Sequence, residues 1–143
     1  MKYYQEVSMT EGPDFERIFA ALPGAYAVFD LHWNYVAATD MLLKTVNRSR
    51  EEVIGKNQFE AFPDNPDDPD AKGNATMLAG FQRVLDERVG HSLPPTRYDV
   101  ADENGVFQER WWRPVNEPVF GSDGEIRYII HGIVDATAEV KGS

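Results

Sequence analysis

Residues 106–134, VFQERWWRPVNEPVFGSDGEIRYIIHGIV, decide the fold. Asp123-Gly124 separates two apolar-rich runs, and an Asp-Gly pair in that position favours a hairpin turn. Val106–Val119 therefore reads as a long strand and Glu125–Val134 as its antiparallel return. Pro114 and Pro118 lack the N–H that a ladder needs, so the first run demands an edge, a bulge or a bend. Side chains alternate along a strand. Ile129, His131 and Ile133 share one face of the return, and Ile126, Tyr128, Ile130 and Val134 share the other. Both faces are apolar, so both are expected to be covered. Trp111, Arg113 and Val115 alternate with Arg110, Trp112 and Asn116 in the preceding run. Thr96–Ala101 supplies a further strand, joined through the turn signal Asn104-Gly105.

Working outward, Phe15, Ile18, Phe19 and Leu22 repeat at helical spacing. They predict a helix over about 10–22, with Ser8 or Thr10 as its cap and Pro23-Gly24 as its stop. Ala25–Asp30 and Trp33–Ala38 read as a hairpin of two short strands. Thr39-Asp40 opens a short helix through Val46. Ser49 and Glu52 have capping-box spacing, so Arg50–Val53 is a helical turn that Gly55 ends. Phe62–Asp70, rich in Pro and Asp, is a loop. Gly73–Val89 is a longer helix whose Met77, Leu78, Phe81, Val84 and Leu85 lie on one face. The order α-β-β-α-α-α-β-β-β predicts an α+β domain: a five-stranded antiparallel sheet with the helical insert on one face. The 143 residues read as a single domain with a core over about 23–137 and a short tail over 138–143.

Composition removes several functions. The chain has no cysteine, which excludes thiol catalysis, disulfide scaffolds and cysteinyl photochemistry. Its net charge of −10 is opposite to that of a nucleic-acid backbone binder. No apolar run approaches the roughly 20 residues that span a bilayer, and MKYYQE lacks a signal-peptide core. The expectation is a cytoplasmic domain without nucleic-acid or membrane contact. Motifs for hydrolytic or phosphate chemistry are absent, so no catalytic residue is assigned.

Several segments resemble the Per-Arnt-Sim (PAS) sensor family. FERIFAALPG at 15–24 is similar to the family's opening, SREEVIG at 49–55 to its helical insert, and YIIHGIVDAT at 128–137 to its last strand with a D-x-T ending. Asn65–Pro69, Tyr98-Asp99 and WRPVNEPV at 112–119 resemble a bacterial group within it. The resemblance covers roughly Phe15–Thr137. It implies a sensory or interaction module, with a small ligand between sheet and insert and a signal leaving through Asp135 and Thr137. It also implies an effector such as a histidine kinase, in the same or another chain.

The position four before the D-x-T aspartate tends to face the pocket in that family. The implied pocket residues are His131 with Ile129 and Ile133, and Trp111, Arg113 and Val115 of the preceding strand. A bulge at Pro114 would swap the latter face. Asn116 reads as a structural amide. His91 lies after the long helix, where a haem ligand is not expected, and His32 falls in a hairpin turn. The expected cofactor is none or a small non-chromophoric ligand, with a haem- or flavin-binding sensor as an alternative. Asp64, Asp67, Asp68 and Asp70 fail calcium-loop spacing and read as a solvated loop; Asp99 and Asp102 read as solvated turn residues. The apolar stripe Phe15, Ile18, Phe19 and Leu22 predicts a homodimer. A different class also matches the length: a small cone-shaped enzyme of the nuclear-transport-factor-2-like kind, such as an isomerase or dehydratase.

Overall fold

A computed structural model describes residues 12–142, and Ser8 and Thr10 lie outside the described residues. The first helix, α1, spans Phe15–Ala20 and is capped by Asp14, whose carboxylate accepts from Arg17 N–H. A hairpin follows, made of β1 (Ala25–Phe29) and β2 (Tyr35–Ala38). Its turn is held by Asp30, whose Oδ1 accepts from the N–H groups of His32 and Asn34 at 2.8 and 3.0 Å. Trp33 takes a left-handed conformation in that turn rather than beginning the strand.

Four helices form the insert: α2 (Asp40–Val46), α3 (Arg50–Val53), α4 (Gln58–Ala61) and α5 (Gly73–Glu87). Thr39 caps α2, and Ser49 and Glu52 close a reciprocal capping box on α3. Helix α4 carries no apolar period in its four residues and was not expected. Helix α5 ends at Arg88 in the left-handed conformation.

The expected strand Thr96–Ala101 is broken. Two short strands, β3 (His91–Ser92) and β4 (Thr96–Arg97), occupy its place in the sheet. A separate ribbon joins β5 (Val100–Ala101) to β6 (Phe107–Gln108). The long strand β7 begins only at Trp111 and runs to Phe120; β8 spans Ile126–Asp135. The break has a local cause. The Asp99 side chain accepts from Arg110 N–H at 3.3 Å, so a carboxylate replaces the ladder carbonyl there. The final residues are not a bare tail: Thr137–Gly142 forms helix α6.

The sheet is antiparallel, in the order β2-β1-β8-β7, with β3 and β4 on the far side of β7. Its inner face, built from Ala25, Ala27, Phe29, Tyr35, Ile129 and Trp112, buries against Leu42, Val46, Val53, Met77, Phe81 and Val84 of the insert. The expected α5 face is therefore used through Met77, Phe81 and Val84, while Leu78 stays exposed.

Both prolines of β7 sit inside the ladder without a bulge at Pro114. Backbone N–H and C=O of one strand residue point to the same side. The Pro114 carbonyl accepts from Leu93 N–H at 2.9 Å, so the missing donor also faces away from β8, into the gap between β3 and β4. Pro118 points the same way and lies beyond the end of β3. The β7–β8 ladder thus loses no hydrogen bond to either ring.

Gly73 opens α5 hard against Tyr98: a Cβ there would lie 2.7 Å from the ring Cγ. Tyr98 is held by hydrogen bonds and has little room to retreat. Gly73→Ala is expected to destabilise the fold by about 1–3 kcal/mol through overpacking, measured by urea unfolding. Unchanged stability would show that the Tyr98 ring yields.

Candidate ligand cavity

Cross-strand partners in an antiparallel pair share a face. Asn116 pairs with His131, Pro114 with Ile133 and Trp112 with Asp135, so even-numbered residues of β7 and odd-numbered residues of β8 face the insert. Between them lies a cavity of about 40 Å³. Tyr35, Gln58, Tyr98, Trp112, His131 and Ile133 border it together with Leu42, Val46, Phe62, Met77 and Val100.

The polar lining is largely satisfied within the protein. Tyr35 OH donates to Gln58 Oε1, and Gln58 Nε2 donates to Tyr98 OH at 3.3 Å. Tyr98 OH also meets the Phe62 carbonyl and the Asn74 side-chain amide. Trp112 Nε1 donates to the Tyr98 carbonyl at 2.8 Å. Burial pushes both phenols above their ordinary pKa, so they remain protonated hydrogen-bonding groups. His131 is packed between Phe29 and Phe81, with its ring edge-on to Phe81 at 5.4 Å. Its Nδ1 is 2.7 Å from Asn116 Oδ1. Burial lowers the His131 pKa to about 4, so the ring is neutral and its Nδ1–H donates to Asn116.

The register overturns one expectation from the sequence. Trp111, Arg113 and Val115 lie on the outer face, away from this cavity. Arg113 is exposed and pairs with Glu139, its Nε donating at 3.2 Å. Trp111 borders a separate surface cleft containing Arg97 and Asp68. Trp112 takes the inward place without any bulge at Pro114: the unbroken register sets Pro114 opposite Ile133 and Asn116 opposite His131, and Trp112 shares their face. His131 and Ile133 border the cavity, whereas Ile129 is fully buried on the same face outside its lining.

Gln58 left no sequence signal, being a polar residue in a four-residue helix. Tyr98 was visible only as part of Tyr98-Asp99. Asp99 itself is buried rather than solvated, gripped by Arg97 Nε and Nη2 at 3.0 Å each and by Asn65 at 3.1 Å. Burial pushes its pKa up, but these hydrogen bonds outweigh that and hold the carboxyl below its usual range. Asp102 closes the β5–β6 turn by accepting from Asn104 and Val106 N–H. Asp64 and Asp68 accept from Asn74 and Asp70 N–H. His91 lies in β3 with Nε2 3.1 Å from Glu87 Oε1, and His32 is exposed in its turn. Among the described residues, no three His, Cys, Asp or Glu gather around a metal-sized point. As it stands in this structure, the cavity of about 40 Å³ is smaller than a haem macrocycle or a flavin ring system.

The ending D-x-T closes a compact junction. Asp135 Oδ1 accepts from Thr137 N–H at 2.9 Å, and Thr137 Oγ1 accepts from Trp111 N–H at 2.9 Å. Ala136 N–H donates to the Trp111 carbonyl at 2.7 Å. Phe15, Ile18 and Leu22 are exposed and Phe19 is half-buried, so α1 does not bury its stripe on its own sheet.

The His131 environment has a consequence for acid stability. Between pH 6.5 and about 4 the unfolded chain binds a proton here that the native ring refuses. Stability is therefore expected to fall by about 3 kcal/mol as pH drops through that window. His131→Leu should remove this component from urea unfolding measured over the same range. Parallel wild-type and variant profiles would show that His131 titrates normally.

No protein-family model and no curated protein matches the sequence. Solved structures do match. An RNA-binding Light-Oxygen-Voltage receptor aligns over 89% of this chain with 17% identity and a TM-score of 0.63. This chain spans only 33% of that receptor. The PAS domain of Bordetella pertussis BvgS aligns over 90% of this chain and 89% of its own, with 23% identity and a TM-score of 0.60. A sensory box sensor histidine kinase structure from Vibrio cholerae aligns over 94% of both chains, with 13% identity and a TM-score of 0.58. With its sheet order, its helical insert and these likenesses, the chain has the fold of PAS sensor domains.

Proposed function

We propose that this chain is a sensory module of a signalling protein, in which a small molecule in the core cavity alters β8 and the Asp135–Thr137 junction. One observation carries the reading: the cavity wall and the junction are adjacent along two strands. Trp112 and Ile133 border the cavity. The backbone of Trp111, next to Trp112, holds both Ala136 and Thr137: its carbonyl accepts from Ala136 N–H and its N–H donates to Thr137 Oγ1. Asp135 follows Ile133 by two residues. A ligand that displaces the Trp112 or Ile133 side chain thereby strains the same short segment that starts α6. It can shift that junction only by its differential affinity for the two arrangements. Arg113–Glu139 and Lys141–Glu109 ion pairs tether α6 further.

The PAS fold and the likeness to a sensor histidine kinase structure support an effector such as a kinase, in the same or another chain. No catalytic role is assigned to the domain itself. The absence of cysteine suits a cytoplasmic setting, and no described helix is long and apolar enough to cross a membrane. The unburied stripe of α1 supports a homodimer through Phe15, Ile18, Phe19 and Leu22. Exposed Tyr26, Val36, Tyr128 and Val134 on the outer sheet face extend that apolar surface.

Three outcomes check this reading. Native mass spectrometry of freshly purified protein is expected to show a small non-covalent adduct, with no Soret or flavin absorption band. A ligand-free mass in every preparation would count against sensing by resident ligand. Thr137→Ala deletes the acceptor for Trp111 N–H. It should lower hydrogen-exchange protection across 137–142 by the equivalent of about 1 kcal/mol while leaving β1 and β8 unchanged. Equal protection would remove the junction from the relay. In light scattering, the wild type is expected as a dimer and the double substitution Phe15→Glu with Ile18→Glu as a monomer. A monomeric wild type at high concentration would remove the dimer.

A further inference from the structure

The cavity has an unusual polar account. None of its lining side chains carries a formal charge at neutral pH: Lys, Arg, Asp and Glu are absent from the wall. An ion would be desolvated there without a partner, at a large cost. His131 gives no counter-charge, because burial keeps it neutral down to about pH 4. Tyr35, Gln58, Tyr98 and Trp112 each spend a hydrogen bond inside the protein. His131 Nδ1 is spent on Asn116. Its Nε2 makes no hydrogen bond among the described residues and, unlike Asn116 Nδ2, is not a fully buried orphan; the His131 ring borders the cavity. Among the described residues, Nε2 is the one side-chain nitrogen or oxygen of the wall without a hydrogen-bond partner.

With Nδ1 carrying the proton, Nε2 presents a lone pair. A cavity of about 40 Å³ exceeds the roughly 10–15 Å³ that one water needs. Water seeks two to four polar partners, and much of the wall (Leu42, Val46, Phe62, Met77, Val100 and Ile133) supplies none. A molecule with one donor and an alkyl body satisfies both the lone pair and the apolar wall.

We infer that the cavity selects a small uncharged molecule of a few non-hydrogen atoms that donates a single hydroxyl or N–H hydrogen bond to His131 Nε2. This rests on the sensory reading above for its location and goes beyond it in the ligand's chemistry. It also assigns Asn116 a positioning role: by accepting from Nδ1–H, Asn116 sets the tautomer that makes Nε2 an acceptor.

Three molecules of matched size test the class: 2-propanol, acetone and acetate. Each is titrated into the 143-residue chain, while nuclear magnetic resonance follows the His131 ring nitrogens, the Ile133 methyls and the Thr137 amide. 2-Propanol is expected to shift the His131 Nε2 and Ile133 signals saturably. Acetone, which cannot donate, should bind about 2- to 10-fold more weakly, and acetate should leave those signals unmoved. His131→Leu should bring 2-propanol and acetone to the same affinity. Acetone binding as well as 2-propanol, acetate binding, or silence from all three (a cavity for water only) would overturn the inference. The Thr137 amide reports separately. Ordered binding without a Thr137 response keeps the ligand class and removes the relay. A Thr137 response to acetate, or to acetone at the affinity of 2-propanol, keeps the relay and removes the class.

Discussion

The pairing of β7 with β8 governs most of this molecule. It runs from Trp112↔Asp135 to Phe120↔Ile126 and sets which side chains face the insert. Because strand side chains alternate, a slip of one residue would turn every inward group outward. Asn116 would then leave His131, Trp112 would leave the cavity, and Arg113 would face an apolar core. The core depends on this register. So does the His131 tautomer, since only Asn116 stands opposite its Nδ1.

The two prolines show how that ladder survives a sequence hostile to it. Their missing donors face the β3 side, where the neighbouring chain is already interrupted. A continuous strand in place of β3 and β4 would meet an acceptor without a donor at Pro114. The split of the expected strand and the straight run of β7 are therefore one arrangement. Asp99 completes it by taking the Arg110 N–H where the strands diverge.

Much of the fold was legible in short-range signals. The Ser49–Glu52 capping box, the Thr39 cap and the turns at Asn104-Gly105 and Asp123-Gly124 act within a few residues, so local patterns reveal them. The apolar period of α5 placed Met77, Phe81 and Val84 in the core. The site was only half legible. His131 and Ile133 could be grouped by alternation, but alternation cannot say which of the two faces of β7 turns inward. Both contain a tryptophan and a branched or amide residue of similar bulk. Gln58 was invisible because its partners are distant in sequence, and the buried state of Asp99 because Asn65 and the Arg110 N–H join nearby Arg97 in enclosing it. Tyr35 and Tyr98 lie 23 and 40 residues from Gln58.

Sequence alone determined the α+β class, the order of most elements, the lack of thiol chemistry and the D-x-T ending. These follow from composition and from interactions a few residues in range. Tertiary structure alone decided the inward face of β7, the break at Asp99, the size of the cavity and the neutrality of its histidine. Those properties arise from register and burial. Both depend on where distant segments meet, and the face chosen at Asn116 is settled only by its partner fifteen residues away on β8.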